Sequence, residues 1–271
     1  MCIRDSLIEL CIEKGVPNPN VVPDTNEVDQ IKDRLNYVKL ALQASSQLPA
    51  QDLLNSRADL LVAKLGRDVQ TLQINLLPRA FMAGGEYLTT SCEYVFQLFE
   101  LLGALSTPAN SLHLEAALSH FISVAREIDS NAQYYAVASK LHPFEVSFKC
   151  SQVVEAALAR LPSNPAVVKV LAKLHKTGQK PISRFAVRVL ADKLWMGEHQ
   201  IQDDEINQLV NFCLNEEMYE EAVKLAALLA LNEASVREVT NKPGSDKEIF
   251  RNSQIGVLLI GTEIVVKNLL E

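Results

Sequence analysis

Apolar residues recur along this chain at intervals of three and four, the spacing that lines one face of an α-helix. Leu88, Cys92, Val95, Phe99 and Leu102 form one such stripe, and Leu114, Leu118, Phe121, Ala125 and Ile128 form another. Met218, Ala222, Leu225 and Leu229 repeat it further on. Period-two alternation, the mark of half-buried strands, is nearly missing. The pattern predicts helices over 25–44, 50–77, 86–104, 109–128, 130–141, 144–161, 165–176, 182–196, 203–214 and 217–231. Ile255–Gly261 is short, apolar and bounded by glycine. It fits either a last helix over 248–270 or a buried strand that opens another domain.

Punctuation agrees with the periodicity. Proline lacks the N–H that a first helical turn leaves unpaired, and its fixed φ suits that position. Pro49, Pro108, Pro143, Pro165 and Pro181 all stand just ahead of apolar-periodic segments. Thr107 and Asn164 precede two of them and are expected to be N-caps. Ser245-Asp246-Lys247-Glu248, after Pro243-Gly244, has the form of a capping box.

Helix pairs recur at a steady interval. Pro108, Pro143, Pro181 and Glu216 mark starts 35, 38 and 35 residues apart, each interval holding two helices. One such pair cannot bury its apolar face alone, whereas a stack shares a continuous core. The predicted fold is therefore all-α, an α-solenoid of antiparallel helix pairs. Its helical-repeat region would span 84–240, after an N-terminal helical segment over 7–83 and before a C-terminal segment over 241–271.

Leu209-Val210-Asn211-Phe212-Cys213 followed by Met218-Tyr219-Glu220-Glu221-Ala222-Val223 resembles the turn between the two helices of a tetratricopeptide repeat. In that family a small residue sits where the helices cross, and Ala222 takes that place. Ala157–Pro162 resembles the closing segment of the repeat. The chain departs from the family at Glu217, where Gly is usual, in lacking the early Trp, and in the length of Gly178–Ala186. The stretch also resembles pentatricopeptide and HEAT-type pairs. The resemblance covers about residues 143–235 and implies a helical repeat that binds a partner. At the start, Met1–Ser6 resembles the translation of a transposon-end sequencing adapter, which implies that these six residues are an artefact. At the end, Leu269-Leu270-Glu271 falls inside an apolar-periodic segment, so the sequence reads as a fragment of a longer protein.

Composition narrows the function classes. The 271 residues carry 26 Lys+Arg and 33 Asp+Glu, a net charge of −7, and 48% are apolar. That balance is globular rather than disordered. No apolar run approaches the roughly 18 residues of a membrane span, so no membrane partner is expected. The acidic total argues against bulk binding to nucleic acid. Cys2, Cys11, Cys92, Cys150 and Cys213 show no Cys-x-x-Cys spacing, which excludes a zinc knuckle and fits a reducing, cytoplasm-like compartment.

The motifs of catalysis are missing as well. Gly84-Gly85 leads into Glu86, whose carboxylate would repel a phosphate at that helix start. His175–Lys180 lacks the glycine and the Gly-Lys-Ser/Thr order of a P-loop. His113 and His120 are seven residues apart, about 10 Å along a helix, too far to share one metal ion. No nucleophile elbow is present. The expectation is a protein that is not an enzyme and holds no cofactor. Glu86, Glu93 and Glu100 are read as a solvated stripe, and Tyr87, Tyr94, Phe96, Phe99 and Phe121 as core.

Charge is segregated near the repeat region. Pro165–Lys193 holds seven basic residues and one acid, whereas Leu194–Val223 holds eight acids and no Lys or Arg. Lys169, Lys173 and Lys176 fall at i, i+4 and i+7, and Arg184 and Arg188 at i and i+4. These five are the candidate partner-binding residues, forming a basic strip for a protein or peptide, in particular an acidic one. Two solvated helix faces would give the same pattern. The function expected is a protein–protein interaction scaffold. An RNA-binding helical repeat that uses these cations on phosphates is one alternative, and a helical regulatory region of a truncated enzyme is another.

Overall fold

A computed structural model describes residues 3–46, 56–177, 180–196 and 201–241. Among them the chain is all-α, with eleven α-helices and no strand. The helices are α1 Ile3–Gly15, α2 Val28–Ser45, α3 Ser56–Ala83, α4 Gly85–Leu105, α5 Leu112–Ser130 and α6 Ala132–Ser139. They continue with α7 Pro143–Ala159, α8 Pro165–Leu174, α9 Lys180–Trp195, α10 Asp203–Asn215 and α11 Tyr219–Asn241. No helix of the described residues is long and apolar enough to cross a membrane. The expected capping box at Ser245 and the helix or strand over 248–270 lie outside the described residues, as does Pro49.

The chain divides into two compact units, Met1–Val170 and Leu171–Glu271. The first is organised round α4. Its apolar positions run nearly all round the helix, so Tyr87, Leu88, Tyr94, Val95, Leu98, Phe99, Leu101 and Leu102 are all buried. A helix apolar on every side needs neighbours on every side. Helix α4 has them: it packs against α2, α3, α5 and α7. Phe99 meets Phe121 of α5 edge to face, 5.1 Å between ring centres. Packing links some next-but-one neighbours (α2 to α4, α3 to α5, α5 to α7) and joins α1–α2, α3–α4 and α6–α7 as adjacent pairs.

Helix α1 was not expected, yet Ile8, Cys11 and Ile12 recur at helical spacing and are buried. The irregular segment that follows it is tied down by side chains. Tyr94 Oη donates to Gly15 O, Tyr87 Oη to Pro23 O at 3.0 Å, and Asn75 Nδ2 to Pro19 O at 3.3 Å. Buried tyrosine hydroxyls require such partners. Burial raises both phenols above their ordinary range.

Helix α3 runs through Pro78 instead of stopping before it. Proline removes the bond to the carbonyl four residues back, here that of Ile74, a residue that lies on the exposed side of the helix. Burial of Ala80 and Phe81 beyond the proline favours continuation. The turn into α4 uses Gly84 and Gly85 at φ 67° and 52°, a left-handed pair that side chains disfavour.

Asn164 caps α8 as expected, its Oδ1 accepting from Val167 N at 3.0 Å. Thr107 does not cap α5. Its N–H donates to Asn110 Oδ1 at 2.7 Å, closing a turn that delays the helix to Leu112. Helix α7 starts at Pro143 with a capping box: His142 Nδ1 accepts from Phe144 N, and Glu145 Oε2 from His142 N.

In the second unit α11 packs on both α10 and α9. Its core is built by Ile206, Leu209, Val210, Cys213, Ala222, Leu225 and Ala226 against Val187, Leu190 and Leu194.

Candidate functional site

Of the five basic residues singled out by sequence, the structure brings two together. Arg184 and Arg188, one turn apart on α9, line an open cleft of about 550 Å³ with Asp192, Tyr219, Glu220 and Lys224. Acids from the α10–α11 connection and the first turn of α11 answer the cations of α9. Lys180 Nζ lies 3.1 Å from Glu216 Oε1, and Arg184 Nη1 lies 3.8 Å from Glu216 Oε2. Arg188 Nε donates to Glu221 Oε1 at 3.1 Å. Lys224 Nζ donates to Asp192 Oδ1 at 2.9 Å and Glu220 Oε1 at 2.7 Å. The hydrogen bond from Lys224 holds the Glu220 carboxyl below its ordinary range. For Lys224 burial pulls downward most, but Glu220 and Asp192 together outweigh it and the ammonium is raised. Glu216 and Glu221 are mostly buried, so these pairs resist screening better than exposed ones.

The other three cations are placed differently. Lys169, in the first unit, donates from Nζ to Pro108 O at 3.0 Å. Lys173 is exposed on the last turn of α8. Lys176 is exposed but is not on α8, which ends at Leu174 and tightens into a 3₁₀ turn over His175–Thr177. His175 Nδ1 lies 2.8 Å from Ala172 O and occupies one of the carbonyls that the helix end leaves open. The i, i+4, i+7 register therefore breaks before its third member.

The α10–α11 connection has a defined geometry. Met218 N donates to Cys213 O at 2.8 Å and Glu217 N to Leu214 O at 3.3 Å. Glu217 stands at φ 58°. This is the Schellman arrangement, with the buried Met218 and Cys213 supplying its hydrophobic contact. The α6–α7 connection shares its left-handed turn and outer bond: Lys140 stands at φ 57°, and Leu141 N donates to Ala136 O at 3.1 Å.

The glutamate stripe of α4 departs from expectation. Glu93 and Glu100 are only half exposed. Arg160, at the end of α7, folds over them, its Nη1 2.6 Å from Glu93 Oε1, while Gln97 Nε2 bridges to Glu100 Oε2 at 3.1 Å. Tyr87, Tyr94, Phe96, Phe99 and Phe121 are buried, as expected. His120 Nδ1 lies 3.4 Å from Oε1 of the buried Gln73, and His113 packs against Gly66, where an added Cβ would meet it at 3.1 Å.

Four exposed apolar side chains escaped the sequence reading. Tyr134 and Val137 on α6, and Phe144 and Phe148 on α7, are 64%, 83%, 72% and 55% exposed. The inward positions are Ala132 and Ala136 on α6, and Val146, Cys150 and Val154 on α7. The signal was available: two phenylalanines at i and i+4 stand off the apolar stripe of their own helix, where polar residues are the norm.

No protein-family model, curated protein or solved structure matches this chain.

Proposed function

We propose that this chain is a protein–protein interaction scaffold of the helical-repeat type, an α-solenoid of tetratricopeptide-like or HEAT-like pairs. The α10–α11 pair supports the repeat class. Glu217 occupies the place where the tetratricopeptide pattern has Gly, and its left-handed φ of 58° is the conformation Gly would supply. Ala222, the small residue of that pattern, is fully buried. Packing of next-but-one helices within each unit also suits stacked pairs.

The binding role rests on one observation. The α6–α7 hairpin leaves Val137 and Phe144, both more than two-thirds exposed, uncovered alongside Tyr134 and Phe148. Exposed large side chains scattered singly are ordinary, and four on one short hairpin support an interaction role. The basic strip gives less support to RNA binding, because Arg184 and Arg188 are engaged by Glu216 and Glu221.

The test places a photo-crosslinking phenylalanine analogue at position 144, with a control at the exposed polar Ser123. In extract of the source cells, a protein adduct resistant to ribonuclease is expected at 144 and not at 123. An adduct that ribonuclease removes favours the RNA-binding alternative, and no adduct at 144 overturns the scaffold reading.

A further inference from the structure

We infer that α1 and the irregular segment after it, Val16–Glu27, form a latch that opens as one piece while the rest of the first unit stays folded. The inference goes beyond the scaffold reading and does not depend on it. The segment has little packing of its own: of its residues only Val16 and Pro23 are buried. Pro17, Pro19 and Pro23 lack the N–H that a helix or sheet would use. Its backbone is held by side-chain donors from the helices beneath it. Arg34 of α2 donates from Nη1 and Nη2 to Val21 O at 3.4 Å, beside the bonds from Asn75 of α3 and from Tyr87 and Tyr94 of α4.

The two tyrosines are the clasp. They stand seven residues apart on α4, two turns and about 10 Å along one face of the helix. Tyr94 donates to the carbonyl of Gly15, an acceptor that the end of α1 leaves open, and Tyr87 to that of Pro23. The segment is thereby pinned near both of its ends.

Helix α1 packs chiefly on α2 and buries Ile8, Cys11 and Ile12, all beyond the six adapter-like residues. Its Gly15 lies so close to α2 that an added Cβ would stand 2.9 Å from Val38 Cγ2. Leu7 and Leu10, about half exposed, gain little from docking. Opening therefore releases a few apolar side chains and the clasp, and the conformational freedom regained by the segment offsets part of that loss. Helix α4 meanwhile keeps α2, α3, α5 and α7 round it. Elements with few buried contacts, held by single side-chain bonds, open at a lower free energy than the whole.

The buried thiols report the opening, since Cys11 lies in α1 and Cys92 in α4. The full chain carrying Cys2→Ser is pulsed with iodoacetamide in native buffer, and each site is read by mass spectrometry as a rate relative to the same thiol in denaturant. Cys11 is expected to be labelled at least about tenfold faster than Cys92 on this scale. Tyr87→Phe with Tyr94→Phe, which removes two hydrogen bonds to the latch, is expected to speed Cys11 by about tenfold or more. Arg160→Ala, which weakens the hold of α7 on α4, is expected to speed Cys92 and leave Cys11 unchanged, because the open and closed latch share the same core. Cys11 no faster than Cys92, Cys11 indifferent to the loss of both hydroxyls, or the two thiols accelerated alike by Arg160→Ala would each overturn the inference. The first and third comparisons decide the matter even where the tyrosine variant fails to fold.

Discussion

Arg160 reaches from the end of α7 back to Glu93 in the middle of α4, with 2.6 Å between Nη1 and Oε1. Its guanidinium carbon also lies 5.3 Å from the centre of the Phe96 ring. One side chain thus supplies an ion pair and a cation–π contact to a helix held mainly by apolar packing. Arg160→Ala removes both and leaves Glu93 and Glu100 facing each other across Gln97. The expected loss is about 1–2 kcal/mol, since partly buried pairs exceed the few tenths of exposed ones. Urea titration of the full chain measures it. An unchanged midpoint would mean that the pair is incidental.

Glu100, close to the same arginine, has a sign of its own. Burial pushes its carboxyl above the ordinary range, opposed by Arg160 and helped by Glu93. Between the unfolded and the raised folded value the native state binds the extra proton, so stability falls as pH rises through that window. Above it, Glu100 is ionised in both states and its burial is a standing cost. Glu100→Gln should therefore raise the melting temperature at neutral pH and flatten its decline with rising pH. A melting series from about pH 4 to 8 decides the matter, and an unchanged slope would refute it.

Two non-glycine residues sit in left-handed backbone at the ends of α6 and α10. Lys140 and Glu217 each carry a Cβ in a conformation that disfavours it by about 1–2 kcal/mol, offset in part by the freedom glycine gains when unfolded. Lys140→Gly and Glu217→Gly are each expected to add about 0.5–1 kcal/mol. Glu217→Val, β-branched, should subtract more than that. Destabilisation by both glycine variants would contradict the turn geometry.

That turn also shows how far sequence alone carries. The Glu217 position was legible as the place of a glycine because Met218 and Ala222 set the register around it. Helices with a full apolar face, such as α4, α5 and α11, were found within a few residues of their starts. Helix α1 was missed because its stripe is short and directly follows the suspected adapter residues. The helix predicted over 50–77 stops short of Pro78, since a proline within a helix is locally unfavourable and the burial of Ala80 and Phe81 beyond it is a tertiary effect. Lys169, Lys173 and Lys176 were read as one register, but a 3₁₀ turn removed Lys176 from it. Periodicity also could not tell which exposed face is greasy: Tyr134 and Phe144 were hidden by a search for chemistry among charged residues.

The thiols test burial directly. Desolvation, the leading cause at each, pushes Cys92, Cys150 and Cys213 up to about 12 and raises Cys11 as well. All four are buried and unpaired by disulfide. With Cys2 replaced by serine, the native chain should react with a disulfide reagent at pH about 8 only through opening, and rapidly once denatured, because the thiolate is the reactive form. Rapid native labelling would show a thiol exposed where the packing hides it.

Gly103 marks the tightest approach among the described glycines of the first unit. A Cβ there would stand 2.8 Å from Pro162 Cδ and 3.0 Å from its Cγ, and the proline ring has little freedom to retreat. Asn164 Nδ2 donates to Gly103 O at 2.8 Å and fixes the same contact. Gly103→Ala is expected to cost about 1–3 kcal/mol as an overpacked site. Thermal unfolding beside Gly66→Ala, where the contact is a looser 3.1 Å, gives the comparison.

The many-sided burial of α4 has a consequence for synthesis. Its oily surface leaves the ribosome well before α7 and the Pro162 loop exist to cover it. Until they emerge the nascent chain exposes much of that apolar surface, so a ribosome pausing soon after α4 clears the exit tunnel would present chaperones with a clear target.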